Sequence, residues 1–529
     1  MIWRKWQWAV PFAVGLVLMI SAPYLLAWGS APEGSRFTGL LFNPLDGHSY
    51  IAKMRQGAEG SWVFRLPFTS EAQPGAPIYL FYLFLGHISR WLQLPLISVY
   101  HAARLAGGLL MVGATGALAV ELTQVTHERR AMLFFVTCGA GLGWIVGIVG
   151  PMTADLWVAE AFPLYAALSN AHFPLAIALM ALCALFSLRV MRCGERTWLW
   201  GSALGCAAIL LGAVQPFGLV PVFGGVGVSA LARIVRQRAI VWSTVIWVVG
   251  AALAASLYPI YMQSAIQADP VLRVWGHQNI TASPPLWDWV LSYGMLAPLC
   301  VIGLYVSLRR GNEADWLVAG WLGVTLIGLY VPLPLQRRLS LGLGVPVGLL
   351  AGAGWWRGVR RGGLRRVPTI ARVAGTVLCV LTPAFLIAAS TASAVVGDDR
   401  FFISDDEWRG LAWLRDAGDG RGVMCAPETG LFVPAWAGQP VVYGHPFETV
   451  EAERRRAEVE AFWLGEMAAA ERETFLRQHR IGYLFVGPRE RALGAVNRPD
   501  VELGDLSREL SPVFNSGAVT IYELRPEVG

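Results

Sequence analysis

Phe42–Trp62 reads FNPLDGHSYIAKMRQGAEGSW. It follows an apolar run at about 7–28, long enough to cross a bilayer, for which about 20 apolar residues suffice. A chain that only had to turn and re-enter the membrane would need a few polar residues there. Instead Asp46, His48, Tyr50, Lys53 and Arg55 come together in a helix-like stretch from Asp46 to Ala58. Asp46, Tyr50, Lys53 and Ala58 fall on or near one helical face. The first loop, about 29–98, is therefore built to do something outside the first span.

The rest of the chain sets the context. Of 529 residues, 55% are hydrophobic and 15% charged, against roughly 25% charged in soluble domains. Apolar runs recur at about 7–28, 99–121, 131–150, 171–188, 197–213, 216–233, 240–262, 291–308, 315–332, 339–356 and 371–396. They predict an α-helical polytopic membrane protein of about eleven spans. The stretch PIYLFYLFLGHISRWLQLP reads as an interfacial helix, with a twelfth span as the competing assignment. Arg4 and Lys5, Arg129–Arg130, the cluster around Arg192, the cluster around Arg236, Arg309–Arg310 and RGVRRGGLRR fall on alternate loops. The positive-inside rule then puts the N-terminus in the cytoplasm and, with an odd number of spans, the chain after Asp398 outside.

Composition changes at that point. The chain up to Gly397 carries a net +14 and the remainder −8. The basic balance thus belongs to loops beside a membrane and gives no reason to expect nucleic acid. The expected organisation is a transmembrane domain over 1–397 and a small extracytoplasmic α/β domain over 398–529. In the latter, GVMCAP, PVVYGHP and IGYLFVGP read as short strands, TVEAERRRAEVEAFWLGEM as a helix, and PVFNSGAVTIYEL as a hairpin turning at Asn515–Gly517. The seven cysteines show no metal-binding or redox spacing, so neither a disulfide nor a structural metal is expected.

Ion-driven transport requires ionisable residues inside the spans. The sequence shows almost none and gathers its charges at the external mouths, as suits an enzyme acting on a lipid-borne substrate at the membrane surface. Asp46, just after Pro44, is either a helix N-cap, worth about 1 kcal/mol, or a catalytic carboxylate, or both. Glu160 and Asp155 lie in the next external loop, and Glu160 is the preferred second acid. His172, at the mouth of the following span, could hydrogen-bond a phosphate or a sugar. Arg337 and Arg338 sit on the external side against the positive-inside rule. Their planar guanidinium groups match phosphate oxygens, and lipid headgroups are the competing partner. His48, Tyr50 and Arg55 complete the candidate substrate-binding residues, and Lys53 is a weaker one.

DGHSYIAKMRQGAEGSW resembles the first-loop signature of the GT-C superfamily of membrane glycosyltransferases, which includes protein O-mannosyltransferases and bacterial enzymes that move sugars from polyprenyl phosphate. The matching positions are Asp46, Tyr50, Gly60 and Trp62. The motif covers roughly the first 200 residues, and the layout resembles the family throughout. Many members have Asp-Glu where this chain has Asp46–Gly47. The resemblance implies a cell-membrane glycosyltransferase. Its donor would be a polyprenyl-phosphate sugar and its acceptor an extracytoplasmic glycan, lipid or protein, with inversion at the anomeric carbon. Asp46 would bind or deprotonate the acceptor, sometimes with a divalent cation such as Mg or Mn beside it. The alternatives are a transporter or flippase of lipid-linked glycans and a non-catalytic assembly factor of the same fold.

Overall fold

The computed structural model describes residues 7–192, 194, 196–361, 367–494 and 510–524. Arg4, Lys5, Cys193 and the end of the basic run at 362–366 lie outside them. The chain divides into two compact units. The first comprises 1–25, 101–261 and 280–392; the second comprises 26–100, 262–279 and 393–529.

The first unit holds the spans. Among the described residues, eight helices are long and apolar enough to cross a membrane, and two further pairs qualify if each is a single bent span, which gives up to ten. The bent pairs are Leu286–Tyr293 with Leu296–Arg310, turned by 92°, and Thr369–Leu378 with Leu381–Val395, turned by 47°. They occupy the expected runs 291–308 and 371–396. The run expected at 315–332 forms a helix only over Glu313–Gly328, 16 residues, because Pro332 and Pro334 follow and cannot continue it.

Helices here approach through glycine. A Cβ on Gly352 would lie 2.3 Å from the Met132 Cα, and one on Gly303 would lie 1.9 Å from the Leu350 carbonyl oxygen. Apolar side chains gain little by leaving lipid for one another, so close backbone contact of this kind is what holds spans together. One span contains a buried cation. Arg104, on Leu96–Leu122, donates to the carbonyls of Ala167 (2.8 Å) and Ile20 (3.0 Å) and covers the Tyr24 ring at 4.4 Å. It braces carbonyl groups, and its fixed bonds suit a strut better than a charge relay.

The second unit joins first-loop residues to the chain after Ser393. Strands β1 (Ser35–Phe37) and β2 (Phe402–Ser404) pair antiparallel, with Arg36 opposite Ile403. Strands β3 (Gly422–Met424), β4 (Ile481–Val486), β5 (Leu510–Ser516) and β6 (Val519–Leu524) form a sheet in the order β3-β4-β6-β5. The β3–β4 pair is parallel and the others antiparallel. Every residue of β4 is buried, as its unbroken apolar sequence requires. The β5–β6 hairpin turns at Gly517–Ala518, and Gly517 takes a φ of 52°, which glycine adopts without strain. The expected strand PVVYGHP contributes only an isolated bridge from Val441 to Val423; prolines at either end deprive it of ladder donors. The expected helix forms over Ala452–Leu464 and stops at Gly465, again with positive φ. PIYLFYLFLGHISRWLQLP is helical over Leu80–Leu92, 13 residues, too short to span.

Candidate functional site

Asp46 lies in the first turn of the loop helix Pro44–Ala58, and the N-cap is Asn43. Asn43 has a φ of 52°, a conformation Asn tolerates better than most residues, and Pro44 follows at the first helical position, where a missing N–H costs nothing. The capping reading of Asp46 therefore gives way. The cap position belongs to Asn43, and the Asn43 side-chain amide donates instead to Asp46 Oδ2 at 2.6 Å. The Asp46 side chain remains 41% exposed, open to a solvent-borne group.

Around it the second unit brings together residues far apart in sequence. His445, almost fully buried, has Nε2 3.7 Å from Asp46 Oδ1. Burial holds its ring below the usual imidazole value. Two turns along the loop helix, the Lys53 ammonium is completely buried and donates to Glu448 Oε1 at 2.6 Å. Ser49 donates to the same oxygen at 2.7 Å. Burial alone would raise the Glu448 carboxyl, but Lys53, His445 and the hydrogen bonds from Lys53 and Ser49 bring it below its ordinary value. Lys53 is thus committed to an internal ion pair and is not available to a phosphate.

The other first-loop candidates are placed as follows. Tyr50 stacks on Tyr82 with ring centroids 4.4 Å apart. Arg55 donates to the Ala435 carbonyl at 2.9 Å. His48 has no exposed surface. Its Nδ1–H donates to the Pro44 carbonyl at 2.7 Å and its ring meets Phe432 edge-on at 4.8 Å. Burial pushes its pKa down to about 4. In this structure the His48 ring packs inside the second unit.

In the first unit, Glu160 and Arg337 come together. Arg337 Nε lies 3.8 Å from Glu160 Oε1, and its guanidinium covers the Trp157 ring at 4.8 Å. Glu160 is buried and its carbonyl accepts from the Gly342 N–H at 3.0 Å. Arg337 and Arg338 share the 3-10 turn Gln336–Ser340. His172 begins the helix His172–Arg192, buried beside Phe173. Asp155 is occupied elsewhere. It accepts from the Gly141 and Gly143 N–H groups and from the Thr153 hydroxyl, and burial raises its pKa.

At Asp46, Oδ2 accepts from the Asn43 amide and the His445 ring nitrogen faces Oδ1. Among the described residues, no three His, Cys, Asp or Glu side chains converge to hold a metal.

A multi-pass helical membrane protein whose first loop joins a C-terminal α/β unit has the fold of the GT-C glycosyltransferases. No family model and no curated protein matches the chain. Among solved structures it is similar to the apo oligosaccharyltransferase of Archaeoglobus fulgidus, with a TM-score of 0.54 and 14% identity over 92% of this chain and 70% of that one. It is similar also to apo ArnT of Cupriavidus metallidurans, at 0.51 and 12% over 96% and 97% of the two chains. The mycobacterial arabinofuranosyltransferase AftD gives 0.51 and 17%, over 97% of this chain and 40% of that one. The oligosaccharyltransferase has been solved with zinc and sulfate and, separately, with an inhibitory peptide and a dolichol-phosphate, and ArnT with undecaprenyl phosphate. At these identities the likeness is one of fold.

Proposed function

We propose that this protein is a cell-membrane glycosyltransferase that moves a sugar from a polyprenyl-phosphate donor to an extracytoplasmic glycan, lipid or protein. The N-terminus lies in the cytoplasm and the second unit outside. An acceptor hydroxyl or amide attacks the anomeric carbon, the bond to the phosphate oxygen breaks with inversion, and Asp46 takes the acceptor's proton. A general base of this kind is worth about 10²–10⁴-fold. The observation that carries the reading is the state of Asp46: a partly exposed carboxylate, oriented by Asn43 and released from capping, in a fold otherwise found in glycosyltransferases. Arg337 and Arg338, with Glu160 and Trp157 fixing the Arg337 guanidinium within the first unit, are candidates to bind a phosphate. Tyr50, Arg55 and His172 are secondary candidates for holding the substrates. The polyprenyl-phosphate donor is favoured by the undecaprenyl phosphate and dolichol-phosphate held by the similar structures.

The test has two stages. Cells lacking the gene should lose a sugar from their envelope glycans or glycolipids and accumulate the lipid-linked donor. The purified protein, added in detergent to membrane extract from those cells, should then complete the transfer. A flippase cannot do this where no two sides exist. Unchanged envelope glycans would sink the proposal, and accumulation without transfer in detergent would replace it with transport.

A further inference from the structure

The loop Gly444–Thr449, some 400 residues beyond the loop helix, is locked from several directions. Thr449 Oγ1 accepts from the Gly444 and His445 N–H groups at 3.3 and 3.2 Å. Glu448 binds Lys53 and Ser49 of the loop helix. Inside this loop the His445 ring is fixed in one tautomer. Its Nδ1 accepts from the Phe447 N–H at 3.1 Å and the Glu448 N–H at 3.2 Å, so Nδ1 carries no proton and Nε2 must. That Nε2–H is buried, makes no hydrogen bond of good geometry, and faces the start of the loop helix, toward the Leu45 carbonyl and 3.7 Å from Asp46 Oδ1. A buried donor left unmatched costs roughly 1–3 kcal/mol, so its placement calls for an explanation. The distance is longer than a hydrogen bond, but bonds of this type often tighten only when substrate is bound.

We infer that His445 is a positioning residue that donates a hydrogen bond from Nε2 to Asp46 Oδ1 during turnover. The inference rests on Asp46 acting as the base. Asn43 holds Oδ2 and His445 holds Oδ1, so the carboxylate plane is fixed from both sides. Each oxygen retains a further lone-pair direction with which to accept the acceptor's proton. Burial keeps the imidazole neutral, as a fixed donor requires, and Phe68, with its ring centroid 5.4 Å away, limits rotation of the ring.

Three substitutions separate this role from a structural one. His445→Asn places an oxygen near the Nδ1 position and keeps the loop's bonds but offers no donor to Asp46. His445→Gln can return an N–H near the Nε2 position, and His445→Ala removes both. Transfer is measured with lipid extract from gene-deleted cells as donor, and affinity separately with undecaprenyl phosphate. His445→Asn should melt near the wild type and bind undecaprenyl phosphate within about twofold, yet lose kcat about 10- to 100-fold, the size of a hydrogen bond to a charged group. His445→Gln should recover most of it. Full kcat in a folded His445→Asn chain, beside an inactive Asp46→Asn chain, overturns this inference alone. Full kcat in Asp46→Asn overturns the base assignment and this inference with it. If His445→Asn does not fold, His445→Gln decides: a loss equal to that of His445→Ala refutes the donor role.

Discussion

The Lys53–Glu448 pair permits a quantitative test of what holds the loop helix to the C-terminal part of the second unit. Lys53 has no exposed side-chain surface and Glu448 only 14%, at 2.6 Å. Removing one member of a buried pair leaves the other charge uncompensated, at a cost of about 3–5 kcal/mol. Removing both in favour of apolar groups of similar size is often neutral or better. For a unit of this size each kcal/mol moves the melting temperature by about 2–4 °C, so Lys53→Met should lower it by roughly 6–20 °C. Glu448→Leu should do much the same, while the double variant returns close to the wild type. Scanning fluorimetry in detergent measures all four chains. The pH dependence gives a second check. The Glu448 carboxyl is depressed on folding, so its contribution is complete above the ordinary Glu value near about 4.3. It disappears as the pH falls through the lower folded value. The wild type's advantage over Glu448→Leu should therefore shrink in acid. A Lys53→Met chain melting within about 2 °C of the wild type, or a double variant worse than either single one, would refute the reasoning.

Asp46→Asn should express, insert and melt normally while losing about 10²–10⁴-fold in transfer; an active Asn chain would remove Asp46 from the base role. Arg338→Ala should weaken use of the lipid donor about 10- to 150-fold, the loss of a charge-assisted phosphate contact. Arg337→Ala should do the same and also lower the melting temperature, because it strands the buried Glu160 carboxylate; unaltered donor dependence in both returns the pair to a headgroup role. His48, with its folded pKa near 4 against an ordinary 6.5, is neutral when folded but takes up a proton on unfolding between those values. Stability should fall as the pH drops from about 6.5 to 4, by up to about 3 kcal/mol from this residue, and His48→Leu should flatten that slope. Protease added to intact spheroplasts should trim the chain after Ser393, and resistance until the membrane is permeabilised would reverse the proposed orientation.

The spans were legible because length and hydropathy alone mark them. Where the expectation at 315–332 overran, the helix ends before the prolines at 332 and 334 that were there to be read. The loop helix was legible too, but its start was read at Asp46 when the helix begins at Pro44. The Asn43–Pro44 pair is itself a helix-start signal, and it moves the cap off Asp46. What no local pattern could supply is the company Asp46 and Lys53 keep. His445 and Glu448 lie some 400 residues away, and spacing rules reach only a few turns. Lys53 on a polar helix in a surface loop reads as solvated or substrate-facing; only the fold shows it buried against Glu448. The Glu160–Arg337 pair was hidden for the same reason, although each residue was singled out alone.

The β1–β2 pair has a consequence for how the protein is made. It ties Arg36 to Ile403, and the residues between them include nearly every span. Emerging from the ribosome first, the loop helix must wait through the insertion of the remaining spans before its partner strand and Glu448 exist. Until then Lys53 has no Glu448 as counter-charge and the His48 side of the loop helix lacks the cover of Phe432. Closing so long a loop is slow more than it is unstable, and a late-closing surface is open to wrong partners in the meantime. A chain truncated near 397 would stay in that waiting state, its spans inserted and its first loop unfinished.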